Sequence, residues 1–359
     1  MSSLEIGIVG LPNVGKSTLY NALTKNNALA ANYPFATIEP NIGIVAVPDP
    51  RLQKLADIYG TTNIIPATIK FIDIAGLVEG ASKGDGMGNK FLSHIRECSV
   101  ICQVVRAFDD SNVIHANDAN NPKTDIDIIN TELVLSDLAT IEKRIQTTIK
   151  LAKSDTKIAL LLAEYNKVLK YLESNTPLFD TSDIDFELLK DLNLLTAKKI
   201  IYLFNVDEAT LQDNTKQDKL RSLIPNHPVV FINAQLESEL NGLSIDEAKE
   251  LLSTYGQQES GLEQLITQAY KTLGLQSYLT AGPKEVRAWT INKGATAPQA
   301  AGVIHTDFEK GFIAAQIVDY EDLIKTESMT NAKAKGLVRT EGKTYVMQPN
   351  DIVEFRFNN

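Results

Sequence analysis

The chain has 359 residues, 43% apolar and 22% charged, a balance that suits two or three globular domains and excludes a disordered polymer. Its net charge of −10 excludes binding to polyanions by overall attraction but leaves room for local basic patches, because a surface charge acts within about a Debye length. Two cysteines, no basic-then-apolar leader after Met1 and no apolar run of membrane-spanning length argue against secreted, disulfide-stapled and membrane-spanning classes, so a cytoplasmic location with no membrane partner is expected.

Glu5–Val9 is a short apolar run ending at Gly10, and Ser17–Thr24 then shows helical spacing. Ile42–Val47, Thr68–Ile74, Val100–Ala107, Lys199–Phe204 and Val229–Ile232 are rich in Ile and Val. Most lack alternation, as strands buried on both faces do. Helical stretches between several of them predict a mostly parallel sheet in an α/β fold. From about Ile129 to Ser174 the rhythm changes. Leu138, Ile141, Ile145 and Ile149, then Ile158, Leu161, Tyr165, Val168 and Leu172, recur at three and four around a polar turn, Ala152–Thr156. The spacing predicts an antiparallel helical hairpin inserted in the α/β domain; two ordinary surface helices are the alternative. Beyond about Gly274, short strand candidates at Glu285–Ile291, Gly311–Ile317, Lys343–Met347 and Asp351–Phe357 and a helix at Tyr320–Glu327 make a small α+β domain. From Leu279 onward ten Lys and Arg balance ten Asp and Glu, so the acidic excess lies upstream. The expected limits are 1–128 and 199–277 for the α/β domain, 129–198 for the insertion and 278–359 for the last domain.

Gly10-Leu11-Pro12-Asn13-Val14-Gly15-Lys16-Ser17 fits the phosphate-binding pattern G-x-x-x-x-G-K-[ST] between a strand and a helix. Its glycines let successive N–H groups point at one phosphate, and the helix N-terminus adds positive potential. Candidate nucleotide contacts are Asn13, Val14, Gly15, Lys16, Ser17 and Thr18, with Lys16 on the outer phosphates and the Ser17 hydroxyl on Mg²⁺. Asp73-Ile74-Ala75-Gly76 closes an apolar strand as the DxxG of a switch-type NTPase does. Asp73 would hold a Mg²⁺-bound water and the Gly76 N–H would meet the γ-phosphate. Gly80, Gly84, Gly86 and Gly88 follow, a composition suited to a loop that orders with triphosphate. Thr37, between the first helix and the next strand, stands where such enzymes supply a second hydroxyl to Mg²⁺.

GTPases read their base with Asn-Lys-x-Asp, whose Asp accepts from the ring N–H and exocyclic amine of guanine. Here the matching strand leads into Asn205-Val206-Asp207-Glu208, with Val for Lys and the longer Glu for the final Asp. Altering that acceptor removes the warrant for strict guanine specificity. Asn205 and the Val206 backbone are candidate contacts to an adenine edge, and ATP is favoured over GTP.

These strings, with Asn32–Pro40, Lys284–Thr290 and Ile304–Phe312, resemble the YchF/Obg-like ATPase family over essentially the whole chain. The resemblance implies an α/β P-loop NTPase (G-domain) with an inserted helical coiled coil and a C-terminal TGS domain of β-grasp type. It also implies an ATP hydrolase associated with ribosomes, the large subunit among them, and with translation-related factors. Leu77, directly after Asp-Ile-Ala-Gly, stands where many GTPases place a water-orienting glutamine, and a leucine cannot hydrogen-bond water. Catalysis must come from elsewhere or remain slow. His115, in the polar stretch Asn112–Asp118, is the candidate catalytic residue, against a solvated loop histidine; His94 is a weaker candidate. Asn13 is a candidate K⁺ ligand, against a turn asparagine valued for its backbone tolerance. Cys98 and Cys102 are expected to be buried structural thiols, and Trp289 to pack. Lys143, Arg144, Lys150, Lys153 and Lys157 gather toward the hairpin tip, either a solvated face or an RNA contact. The composite expectation is a slow ATPase switch; a GTP-specific GTPase and a ribosome or RNA adaptor with structural ATP are the competitors.

Overall fold

The computed structural model describes residues 5–25, 42–74, 86–108 and 121–358. Among them the strands, in chain order, are β1 (Glu5–Val9), β2 (Ile42–Ala46), β3 (Ile64–Ile65), β4 (Thr68–Asp73), β5 (Val100–Ala107), β6 (Lys199–Val206) and β7 (Val229–Ile232). The chain continues with β8 (Leu275–Ala281), β9 (Val286–Asn292), β10 (Phe312–Asp319), β11 (Arg339–Glu341) and β12 (Asp351–Phe357). The first five described helices are α1 (Lys16–Lys25), α2 (Arg51–Tyr59), α3 (Gly86–Glu97), α4 (Pro122–Ala152) and α5 (Thr156–Glu173). Contacts divide the chain into two units, one of Met1–Val45 with Lys70–Ala269, the other of Ala46–Ile69 with Tyr270–Asn359.

The first unit is built on a sheet ordered β2-β4-β1-β5-β6-β7. β1 runs parallel to β4 and β5, β5 to β6, and β6 to β7. Its central strands β5 and β6 are buried almost throughout, which explains their unbroken apolar sequence. β6 continues two residues past the expected end, through Asn205 and Val206. Gly7 has no room for a side chain, since a Cβ there would lie 2.7 Å from Ile74 and 2.9 Å from the Cys98 sulfur.

The helical hairpin is longer than its periodicity suggests. α4 starts at Pro122, where the fixed φ of proline suits the first helical position and the Asn121 side chain accepts from the Lys123 and Thr124 N–H groups. Asp155 caps α5 in the same way. Val134, Ile141, Tyr165, Val168 and Leu172 form its core, closed by Leu178, Leu189, Leu192 and Leu194 of the returning chain. Ile149, expected in the apolar stripe, is 45% exposed. Asp137 pins the return. Fully buried, its carboxylate accepts from the Leu195 N–H at 2.9 Å, the Thr196 N–H at 2.7 Å and the Thr196 hydroxyl at 2.7 Å. Burial raises its pKa while those donors oppose the rise. Next to it, the Lys198 ammonium donates to the carbonyls of Arg96 (2.9 Å) and Cys98 (2.6 Å), tying the end of α3 to the chain entering β6.

The second unit is an α+β fold of β-grasp type, a mixed sheet ordered β11-β10-β12-β8-β9-β3. The helix Ala297–Ile304 packs Ala297, Ala300 and Ala301 into a core with Tyr278, Ile291, Phe312, Ile317 and Met347. The stretch Ala46–Ile69 belongs to this unit although it falls within the first part of the expected α/β domain: β3 pairs in parallel with β9, and Arg51 donates to the Pro349 carbonyl at 2.6 Å. Lys343–Met347, expected as a strand, is not one. Its backbone bonds go to Ala295 and Ala297, and the Gln276 amide donates to the Met347 carbonyl at 2.7 Å, leaving one isolated bridge, Thr296 with Val346. The strand Leu275–Ala281 was masked in the sequence by Gln276 and Ser277, polar residues that are buried with partners. None of the described helices is long and apolar enough to cross a membrane.

Asp137→Ala would leave two buried backbone N–H groups without acceptors. A loss of about 3 kcal/mol is expected from the lowered urea midpoint followed by circular dichroism, with Asp137→Asn losing less because an amide oxygen still accepts.

Candidate nucleotide site

The parallel strands of the first unit bring the sequence motifs to one sheet edge. β1 ends at Val9, and Ile8 pairs with Asp73 at the end of β4. The loop from Gly10 leads into α1 at Lys16. Two residues of that loop have left-handed backbones, Asn13 at φ +62° and Gly15 at φ +99°, which turns their N–H groups inward as an anion-binding nest requires. Asparagine tolerates that region, so Asn13 already has a backbone reason to stand there. Gly10 is needed for closeness: a Cβ there would lie 2.7 Å from the Val104 carbonyl oxygen.

Asn205, at the end of β6, holds this loop. Its Nδ2 donates to the Val14 carbonyl at 3.0 Å, and its Oδ1 accepts from the Ala234 N–H at 3.1 Å. The residue is 5% exposed. Both ends of the amide therefore have a partner within the protein, and the residue also lines the cleft described next. Asn233 completes the clasp. Its Nδ2 donates to the Val206 carbonyl at 2.9 Å and its Oδ1 caps the helix Ala234–Leu240 by accepting from the Leu236 N–H at 2.8 Å.

A cleft of about 900 Å³ opens over the loop. Asn13, Gly15, Lys16, Ser17 and Thr18 line its phosphate end. Phe108, Val206, Asp207, Glu208, Asn233 and Gln235 are among those at the other. The Lys16 ammonium donates to the Leu11 carbonyl at 3.0 Å. Burial lowers its pKa and Asp73 raises it; Asp73 in turn is raised by burial and lowered by Lys16. Lys16, which lines the cleft, and Asp73 thus feel each other's charge. Hydroxyl and carboxylate oxygens from Ser17 and Asp73 are the donor chemistry a hard dication takes, so the residues fit Mg²⁺.

Asp207 caps the short helix Glu208–Leu211 by accepting from the Thr210 N–H at 2.7 Å. Glu208 begins that helix, and the Tyr255 hydroxyl donates to its Oε1 at 3.3 Å. Phe108 was not singled out from the sequence. The Arg106 guanidinium lies 4.5 Å from its ring centroid and donates to its carbonyl at 3.2 Å, fixing an apolar platform beside the base end. An aromatic directly after the buried strand Val100–Ala107 was the available signal. Asn233 was legible as a cap residue after an apolar strand, although its second bond was not.

Thr37, Gly76, Leu77 and His115 lie outside the described residues. Gly86 and Gly88, expected in a loop, stand in the first turn of α3. His94 is exposed on α3. Cys98 and Cys102 are buried, and burial pushes both thiols up to about 12, so neither is a thiolate at neutral pH. Trp289 packs: its indole donates to Thr280 Oγ1 at 2.9 Å and the Arg287 guanidinium lies 3.8 Å from its ring.

Residues 5–132 match the family described as 50S ribosome-binding GTPase, and residues 275–358 match the YchF-GTPase C-terminal family, described as a protein of unknown function. The chain is 50% identical to a Bacillus subtilis protein named ribosome-binding ATPase YchF, covering 99% of this chain and 100% of the relative. It is 49% identical to a protein of the same name from Haemophilus influenzae, covering 99% of each. The solved Schizosaccharomyces pombe YchF GTPase superposes with a TM-score of 0.88 at 39% identity, over 99% of this chain and 98% of that one.

A Cβ on Gly15 would lie 2.4 Å from Asn205 Nδ2 on a backbone that already disfavours a side chain. Gly15→Ala is therefore expected to weaken nucleotide binding by at least about tenfold, measured by calorimetry, with the fold retained.

Proposed function

The chain belongs to the YchF family, and on that footing we propose that it is an ATP-hydrolysing switch of the cytoplasm that acts on ribosomes. The observation that carries the reading is a phosphate cradle, clasped by Asn205, whose base end lacks the guanine-selecting pair. Val206 replaces the lysine of that motif, and Glu208 is one methylene longer than aspartate, starts a helix and is engaged by Tyr255. An altered acceptor fork removes the large discrimination that a buried hydrogen-bonding site otherwise gives guanine. Phe108 and the Val206 backbone are proposed to hold the adenine.

In this reading the backbone of Asn13, Val14, Gly15 and Lys16, with Ser17 and Thr18, grips the phosphates, and Lys16 neutralises the outer ones. The Gly76 N–H meets the γ-phosphate. Ser17, Thr37 and, through water, Asp73 hold Mg²⁺, which supplies charge neutralisation when bound. Asn205 acts as a positioning residue for the loop. Residues 129–198 serve as an arm and 278–359 as the terminal module, with translation-related factors as further partners. Because phosphoryl transfer asks mainly for positioning and charge, the leucine at position 77 leaves a water-orienting role open, and His115 is proposed to fill it. Asn13 is proposed to ligate a K⁺ ion that adds charge where an arginine finger would.

The test is calorimetry with Mg²⁺ and each nucleotide. ATP is expected to bind more tightly than GTP; GTP bound far more tightly, or neither bound, overturns the reading. For hydrolysis, His115→Ala is expected to slow turnover at least about tenfold with ATP affinity unchanged. Wild-type turnover is expected to be faster in KCl than in matched NaCl, and equal rates remove the K⁺ role.

A further inference from the structure

Within the first unit a second groove, of about 510 Å³, lies between α3 and one face of α4 and shares no lining residue with the nucleotide cleft. Leu92, Leu135 and Ala139 give it an apolar floor. Its polar lining is Arg96, Ser136, Thr140, Lys143, Arg144 and Thr147, with no carboxylate among the lining residues. On α4 these positions recur at three and four, so they share one side of the helix over roughly 17 Å of its axis. Arg96 crosses from α3: its Nη2 donates to Ser136 Oγ at 3.0 Å and reaches Thr140 Oγ1 at 3.5 Å. Lys143, Arg144 and Thr147 are exposed, and Lys150, Lys153 and Lys157 continue the positive charge toward the tip. The nearest buried acid on α4, Asp137, is engaged by Leu195 and Thr196.

We propose that this groove takes the phosphodiester backbone of structured RNA. The proposal rests on the ribosome-binding reading and gives it a chemical address. In a chain of net charge −10 the general field repels a polyanion, so attraction has to come from a local cluster whose cations act at short range. Guanidinium, ammonium and hydroxyl donors in a row are what phosphate and ribose oxygens accept, and they carry no base readout. Arg96 lies in the last turn of α3, the helix that follows the Asp73 motif in sequence.

The experiment uses the full chain, a labelled RNA stem-loop and salt-washed ribosomes. The groove variant carries Lys143→Glu with Arg144→Glu, both exposed, so folding is not at stake; a charge-matched control carries Lys216→Glu with Lys219→Glu, also exposed in the first unit. The groove variant is expected to bind stem-loop and ribosome at least about tenfold more weakly, and to reduce the log–log salt slope by about two. Its ATP affinity is expected to match wild type, as is RNA binding by the control. Unchanged binding by the groove variant, or equal losses in both variants, overturns the proposal. Loss of ribosome binding alone, with the stem-loop unaffected, also overturns it and assigns the groove to an acidic protein. Wild type that binds the stem-loop through the groove but not ribosomes keeps the groove and removes the ribosome reading.

Discussion

A single side-chain amide, that of Asn205, joins three elements whose relative placement defines the nucleotide site. It bonds the phosphate loop at Val14 and the start of the Ala234 helix from its own place at the end of β6. Because it is buried, either bond left unmade would strand a polar group away from water, so the amide locks the loop more firmly than an exposed contact would. The close approach also explains Gly15, the position where a Cβ would collide with that amide. Asn233 repeats the logic one strand over, linking Val206 to the same helix. Preorganisation of this kind is most of what a protein can contribute to phosphoryl transfer.

The helical arm is secured by the same means. Asp137 on α4 accepts three hydrogen bonds from the chain that returns to β6, while Lys198 reaches the last carbonyls of α3. Arg96 adds a bond from α3 to Ser136. Buried Asp137 and half-buried Arg96 and Lys198, each with these partners, fix the register of α3 and α4 in a way that apolar packing alone does not. The groove beside them keeps its cations on a defined face for that reason. The nucleotide cleft and the groove are thus separate surfaces of one unit, with no lining residue in common.

The two asparagines show where one-dimensional reading stops. Asn205 was visible as the first residue of a base-recognition string, and its chemistry suggested a contact with the purine. Its neighbours in space, Val14 and Ala234, lie 191 and 29 residues away, and they take both ends of its amide. A phenylalanine after a strand carries no motif, and the place of Phe108 in the cleft lining is what gives it meaning. In the second unit, Gln276 and Ser277 broke the apolar pattern of β8 because their partners, Met347 and Tyr270, are supplied by tertiary packing.

The sequence by itself determined the phosphate loop, the parallel strands that lead to it and the helical arm, because these rest on local signals: glycine spacing, Ile and Val runs and a three-four repeat. It also carried the loss of the guanine fork, which is a matter of residue identity. Tertiary structure alone decided that Asn205 clasps the loop, that Phe108 lines the cleft and that residues 46–69 group with the second unit, β3 entering its sheet. It alone decided that hydroxyls of α4 meet Arg96. Each of those is a contact between residues distant along the chain, and the energy of such a contact is set by distance and burial, which no local pattern encodes.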